Sequence, residues 1–130
     1  MKTKLNIFVK IKASFRLIEA VRQANKEHAS TGNRYYVMPT SGTSGNLVIM
    51  DRVNFRKLKQ KHYISHKATQ MNLETECFYC TPYRNGMGEL SQMAKSLKRE
   101  SYYSWVAAVR QLRKAEKSKQ KAKKQWAGMT

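Results

Sequence analysis

An α+β fold is predicted for this chain: a small mixed or antiparallel sheet packed by three to four helices, with a basic C-terminal arm that is helical or disordered. Three observations predict it. Short apolar runs of strand length recur at residues 35–38 and 47–50. Between and around them lie stretches in which apolar residues return at helical spacing. After Leu112 no apolar residue larger than Ala appears until Trp126, so the arm has nothing with which to build a core.

The elements are expected as follows. Residues 4–12 alternate, with Leu5, Ile7, Val9 and Ile11 on one side, which is the pattern of a half-buried strand. Ser14 then caps a helix. Its inward side carries Phe15, Ile18, Val21 and His28, with Leu17 and Ala24 beside them, and Gly32 ends it in a left-handed conformation. Tyr35 to Met38 form a strand closed by Pro39, TSGTSGN (40–46) is a turn, and Leu47 to Met50 form a central strand, apolar on both faces.

Asp51 caps a second helix running to Lys61, with Val53, Leu58 and Phe55 turned inward. Residues 62–75 give a turn and a short helix around Met71. Cys77 to Thr81 read as strand, ending at Pro82, and 81–89 as a loop. A short helix is expected from Glu89 to Leu97, then a last helix from Ser101 with a seam of Tyr102, Trp105, Val109 and Leu112. The body is thus one domain, 1–112, followed by a lysine-rich tail, 113–130.

Apolar content of 41% supports a folded body, since disordered chains are poorer in such residues. No apolar run reaches the ~18 residues a membrane span needs. Lys10 and Lys12 interrupt the N-terminal apolar stretch, so no secretory signal is expected there. A cytoplasmic location, or one within a virus particle, follows, with no membrane partner.

Charge narrows the partner further. The chain holds 26 Lys and Arg against 8 Asp and Glu, a formal net charge of +18. A balance so far from neutral concentrates polyanions around the molecule, and DNA or RNA is the expected partner. Between Arg110 and Lys124 lie eight basic residues and one acid: Arg110, Arg113, Lys114, Lys117, Lys119, Lys121, Lys123 and Lys124 against Glu116. Such residues neutralise phosphates without reading bases. A second basic surface is expected on the 52–61 helix, from Arg52, Arg56, Lys57, Lys59 and Lys61, with Arg84 in the following loop. Tyr83 and Tyr103 are the rings expected to stack on unpaired bases.

One metal constellation is spelled out in the order His62, His66, Cys77, Cys80, which could complete a structural zinc site. Against it, the flanking residues read as extended chain, and in a strand Cys77 and Cys80 would point to opposite faces. Otherwise no cofactor is expected. Glu74 and Glu76 are the only neighbouring acids after residue 70, no nuclease spacing is present, and TSGTSGN lacks the Lys-Ser/Thr of a phosphate loop. The chain is therefore expected to be a non-enzymatic nucleic-acid-binding protein. The alternative is a structural or interaction protein of a phage particle, mobile element or ribosome-associated complex, with a protein partner.

Overall fold

In the computed structural model, residues 6–40, 42–62 and 67–129 are described, the side chains of residue 70 and of 123–129 excepted. The element order is α1 (Ile7–Thr31), β1 (Tyr36–Pro39), β2 (Leu47–Met50), α2 (Arg52–Gln60), α3 (Gln70–Glu76), β3 (Tyr79–Cys80) and α4 (Gln92–Met129). The strands form one antiparallel sheet in the order β2-β1-β3, with Tyr36 opposite both Met50 and Cys80. This is an α+β fold.

Side chains of β1 alternate across the pleat and so divide the core in two. Tyr35 and Val37 pack with Ala13, Leu17 and Ala24 of α1 and with Phe78 and Tyr102. Tyr36 packs the other way, with Phe55 of α2, Leu73 of α3, Cys77 and Cys80. The sheet is therefore the middle of three layers, α1 and α4 on one side and α2 and α3 on the other. Tyr102 ties the first layer together: its buried hydroxyl donates to the Ala13 carbonyl at 2.7 Å, and its ring meets Phe78 edge-on.

Several boundaries fall where local chemistry sets them. Gly32 ends α1 in the left-handed conformation (φ 78°), its N–H returning to the His28 carbonyl. Asp51 caps α2, its carboxylate accepting from the Asn54 N–H at 2.8 Å. Thr69 and Asn72 form a capping box at α3.

Several expectations are corrected. Residues 4 and 5 of the first expected strand lie outside the described residues, and from Ile7 onward that run is helix. Alternation was a coincidence of Ile7, Val9 and Ile11, because Val9 also begins a helical series through Ala13, Leu17 and Ala24 that faces the core. Ser14 is consequently no cap but sits within α1, donating back to the Lys10 carbonyl. The inward face is also rotated from expectation: Phe15 and Ile18 are 67% and 63% exposed.

β2 is an edge strand rather than a central one, with all four of its residues half-buried. Val53 points to solvent, leaving Phe55 as the buried anchor of α2. The two helices expected at 89–97 and from 101 are one continuous helix, α4, of 38 residues. Nothing in residues 98–101 breaks it, since Lys, Arg, Glu and Ser all tolerate helix. Tyr102 and Val109 of the expected seam are buried, Trp105 is half-buried, and Leu112 is exposed.

Candidate nucleic-acid interface

The basic residues expected at the surface divide into those the fold uses internally and those it leaves to solvent. Arg52 belongs to the first group. Its Nη2 donates to the Tyr83 hydroxyl at 2.7 Å and lies 3.6 Å from Glu74. Arg84 donates from Nη2 to the Thr31 carbonyl at 2.7 Å, satisfying the C-terminal end of α1. Arg113 donates from Nε and Nη2 to the Thr43 carbonyl, at 3.0 and 2.6 Å, and so pins the 40–46 turn to α4.

The second group faces water. On α2 and its C-cap, Arg56, Lys57 and Lys61 are exposed and Lys59 half-exposed. On α4, Lys114, Lys117, Lys119 and Lys121 are all exposed, and every residue from 114 to 122 is exposed as well. Arg110 is half-buried. Lys123 and Lys124 lie on α4, but their side chains fall outside the described residues.

Neither expected stacking ring is bare. Tyr83 lies between two guanidiniums, with Arg34 4.3 Å and Arg52 5.3 Å from its ring centre, and its hydroxyl donates to Glu74. Tyr103 is half-buried, shares a hydrogen bond with the Ser14 hydroxyl, and carries the Lys10 ammonium 5.1 Å above its ring. Among the described residues the bare aromatic rings are elsewhere, at Phe8 (73% exposed) and Phe15, on the segment expected to be strand and buried helix face.

The residue the sequence hid most completely is Arg34. It reads as one more surface cation, yet its side chain is 6% exposed. Its Nη2 donates to Glu74 and to the Cys80 sulfur, each at 3.0 Å, and its Nη1 donates to the Gly88 carbonyl at 3.0 Å. Glu74 also accepts from the Tyr36 hydroxyl at 2.6 Å. Burial opposes ionisation of Glu74, but the Tyr36 hydroxyl and Arg34 outweigh it and hold the carboxyl below its ordinary range. Burial, then the bond to Glu74, pushes the Tyr36 phenol up. The cluster fastens β1, α2, α3 and the 81–90 loop to one another.

Cys77 and Cys80 come together in the second core layer rather than on opposite faces, because β3 is only Tyr79–Cys80 and Cys77 is the C-cap of α3. Both are free thiols. Lys98 Nζ donates to the Cys77 sulfur at 3.2 Å and to the Glu74 and Cys77 carbonyls. The hydrogen bond from Cys80 lowers the Cys77 pKa, with Lys98 adding to it against burial, while Cys80 is pushed up. Of the expected zinc partners, His62 is exposed in a turn at φ 63° and His66 lies outside the described residues. Among the described residues no three His, Cys, Asp or Glu side chains cluster as a metal site would need.

Between α1 and α4 lies a cleft of about 250 Å³ whose lining holds Lys12, Arg16, Arg110 and Arg113, together with Gly45 of the 40–46 turn and Phe8. No acidic side chain lines it among the described residues. Its apolar floor includes Ala13 and Val109, both buried, and their small size leaves the space open. Among the described residues, no helix is long and apolar enough to cross a membrane. No family model, curated protein or solved structure matches this chain.

Proposed function

We propose that the chain is a small basic, non-enzymatic nucleic-acid-binding protein that grips the phosphate backbone through α4 and the outer face of α2. The observation that carries this reading is the far part of α4. Beyond Val109 the helix buries no described residue, yet it continues and presents Lys114, Lys117, Lys119 and Lys121 to water against Glu116 alone. A helix that leaves its core in this way exposes a row of ammonium groups, which release counterions when phosphates replace them. Arg56, Lys57, Lys59 and Lys61 supply a second basic patch on α2, without an acid among them.

The test is the salt dependence of affinity, measured by fluorescence anisotropy on DNA and on RNA. Contact with about 6 phosphates predicts a slope near −5 in a plot of log K against log salt. A slope near zero refutes the reading.

A second reading, a structural or interaction protein of a phage particle, mobile element or ribosome-associated complex, is favoured by one observation. Ile7, Ile11 and Ile18 stand exposed along one side of α1, and such apolar surface suits a protein partner. A complex that survives nuclease and high salt supports it. One that nuclease dissolves supports the first reading.

A further inference from the structure

The cleft between α1 and α4 differs from the other basic surfaces in being concave and in converging its charges. Arg16 and Arg113 approach Gly45 from different helices. A Cβ placed on Gly45 would lie 3.5 Å from Arg16 Nη1 and 3.6 Å from Arg113 Nη2. Gly45 is itself buried at φ 74°, a conformation that favours glycine, so the backbone there comes close to both guanidiniums. Arg113 is held in place by its two bonds to the Thr43 carbonyl. Lys12 and Arg110 complete the ring of charge.

Four like charges in one concavity repel one another, and water-filled concavities of one sign focus the potential for an ion of the opposite sign. Glu116 of α4 accepts from the Thr43 hydroxyl at 3.3 Å and does not line the cleft. At about 250 Å³ the space is below the roughly 300–1,000 Å³ of small-molecule sites, a size for a phosphate group rather than a whole ligand. At its edge stands Phe8, whose ring is 73% exposed.

We propose that this cleft seats one phosphate of a single-stranded nucleic acid, with the adjoining unpaired base stacked on Phe8. The proposal rests on the nucleic-acid reading and deepens it. Arg16 takes the phosphate oxygens with its planar, multiply donating fork, and Arg113, whose Nε and Nη2 donate to the Thr43 carbonyl, adds its charge and its Nη1. Lys12 and Arg110 add charge from the two walls. A base in a duplex already has both faces covered by its neighbours, so Phe8 gains a stacking partner only from an unpaired strand. The remaining lysines of α4 accept either form, because phosphate neutralisation needs no exposed base. The cleft is therefore the place where single strands are distinguished from duplexes.

The experiment uses the full chain and a labelled oligonucleotide of about 12 nucleotides, within the ~4–16 of common single-strand sites, as a single strand and as a duplex. The variants are Phe8→Ala, Arg16→Ala and, as a comparison on the same helix but off the cleft, Phe15→Ala. Circular dichroism establishes that each is folded, as the exposure of all three side chains leads one to expect.

The wild-type chain should bind the single strand more tightly than the duplex. Phe8→Ala should weaken single-strand binding by about fivefold or more and leave duplex binding unchanged. Arg16→Ala should weaken single-strand binding more than duplex binding, and Phe15→Ala should change neither. Photo-crosslinking of the bound single strand should label the segment containing Phe8.

If the wild-type chain binds nucleic acid but Phe8→Ala and Arg16→Ala are without effect, the cleft proposal falls while the nucleic-acid reading stands. Equal losses from Phe8→Ala and Phe15→Ala overturn it too, in favour of a general apolar contact. Binding to phosphatidylserine vesicles that depends on Phe8, without single-strand preference, overturns it in favour of a membrane surface. No binding of either oligonucleotide at low salt overturns both the proposal and the reading beneath it.

Discussion

Replacing Glu74 tests the hidden cluster that holds β1, α2 and α3 to the loop after β3. In Glu74→Ala the Arg34 guanidinium, 6% exposed in the wild-type chain, loses its carboxylate at 3.0 Å, and the Tyr36 hydroxyl loses its 2.6 Å acceptor. Removing one partner of a buried pair costs about 3–5 kcal/mol. Glu74 itself is 29% exposed, so water entering its place solvates part of what it leaves. An overall loss of about 3 kcal/mol follows, at the lower end of that range. For a chain of this size that lowers Tm by on the order of 10 °C.

Glu74→Gln keeps an acceptor oxygen and should cost less, about 1–2 kcal/mol. The assay is urea unfolding followed by circular dichroism, with the slope checked for constancy across variants. The acid range gives a second readout. The folded-state pKa of Glu74 lies below its ordinary 4.5, so its contribution is fully present above pH 4.5 and is lost as pH falls through the folded value. The stability gap between the wild-type chain and Glu74→Gln should therefore close as pH drops below 4.5. A Glu74→Ala loss within about 0.5 kcal/mol, the range of ordinary surface substitutions, would refute the account of the cluster.

Three further outcomes are expected. Gly88→Ala should destabilise by about 1 kcal/mol or more, because the residue sits at φ 80° and a Cβ there would fall against Arg34 Nη1; unchanged urea unfolding would contradict this. Tyr102→Phe should cost about 1 kcal/mol through loss of the bond to the Ala13 carbonyl, and calorimetry would show it. Because burial raises the Tyr102 pKa to about 12, its contribution should stay constant from neutral pH to pH 9. A metal chelator should leave Tm unchanged, since each thiol sulfur faces a cation, Lys98 or Arg34; a fall of several degrees would instead assign zinc to the Cys77–Cys80 pair and its histidines.

What the sequence disclosed and withheld follows from where the signals lie. The strands near 35–38 and 47–50, the Gly32 stop and the Asp51 cap are each written in a few adjacent residues, and each appears in the structure within a residue or two. The start of α1 was obscured because the residues that face the core there are small, Ala13 and Ala24 among them, while the large Ile7, Phe8, Ile11 and Phe15 face out. Hydrophobic periodicity weights the large residues and so pointed to the wrong side.

The candidate site divides the same way. The exposed lysines of α4 could be found because they form a run. The pairing of Arg34 with Glu74 spans 40 positions, and the cleft joins α1, α4 and the 40–46 turn. Neither leaves a local trace, since a buried arginine and an exposed one are spelled alike.

The central claim, that this protein binds nucleic acid by neutralising phosphates along α4, is tested most directly by the salt slope of the full chain beside one ending at residue 113. Ending there keeps Arg113 and its hold on Thr43 while removing Lys114, Lys117, Lys119 and Lys121. The account predicts a slope near −5 for the full chain, about 6 phosphates, and weaker, flatter binding for the shortened one on every sequence tried. Equal affinity and equal slope for the two chains would contradict it.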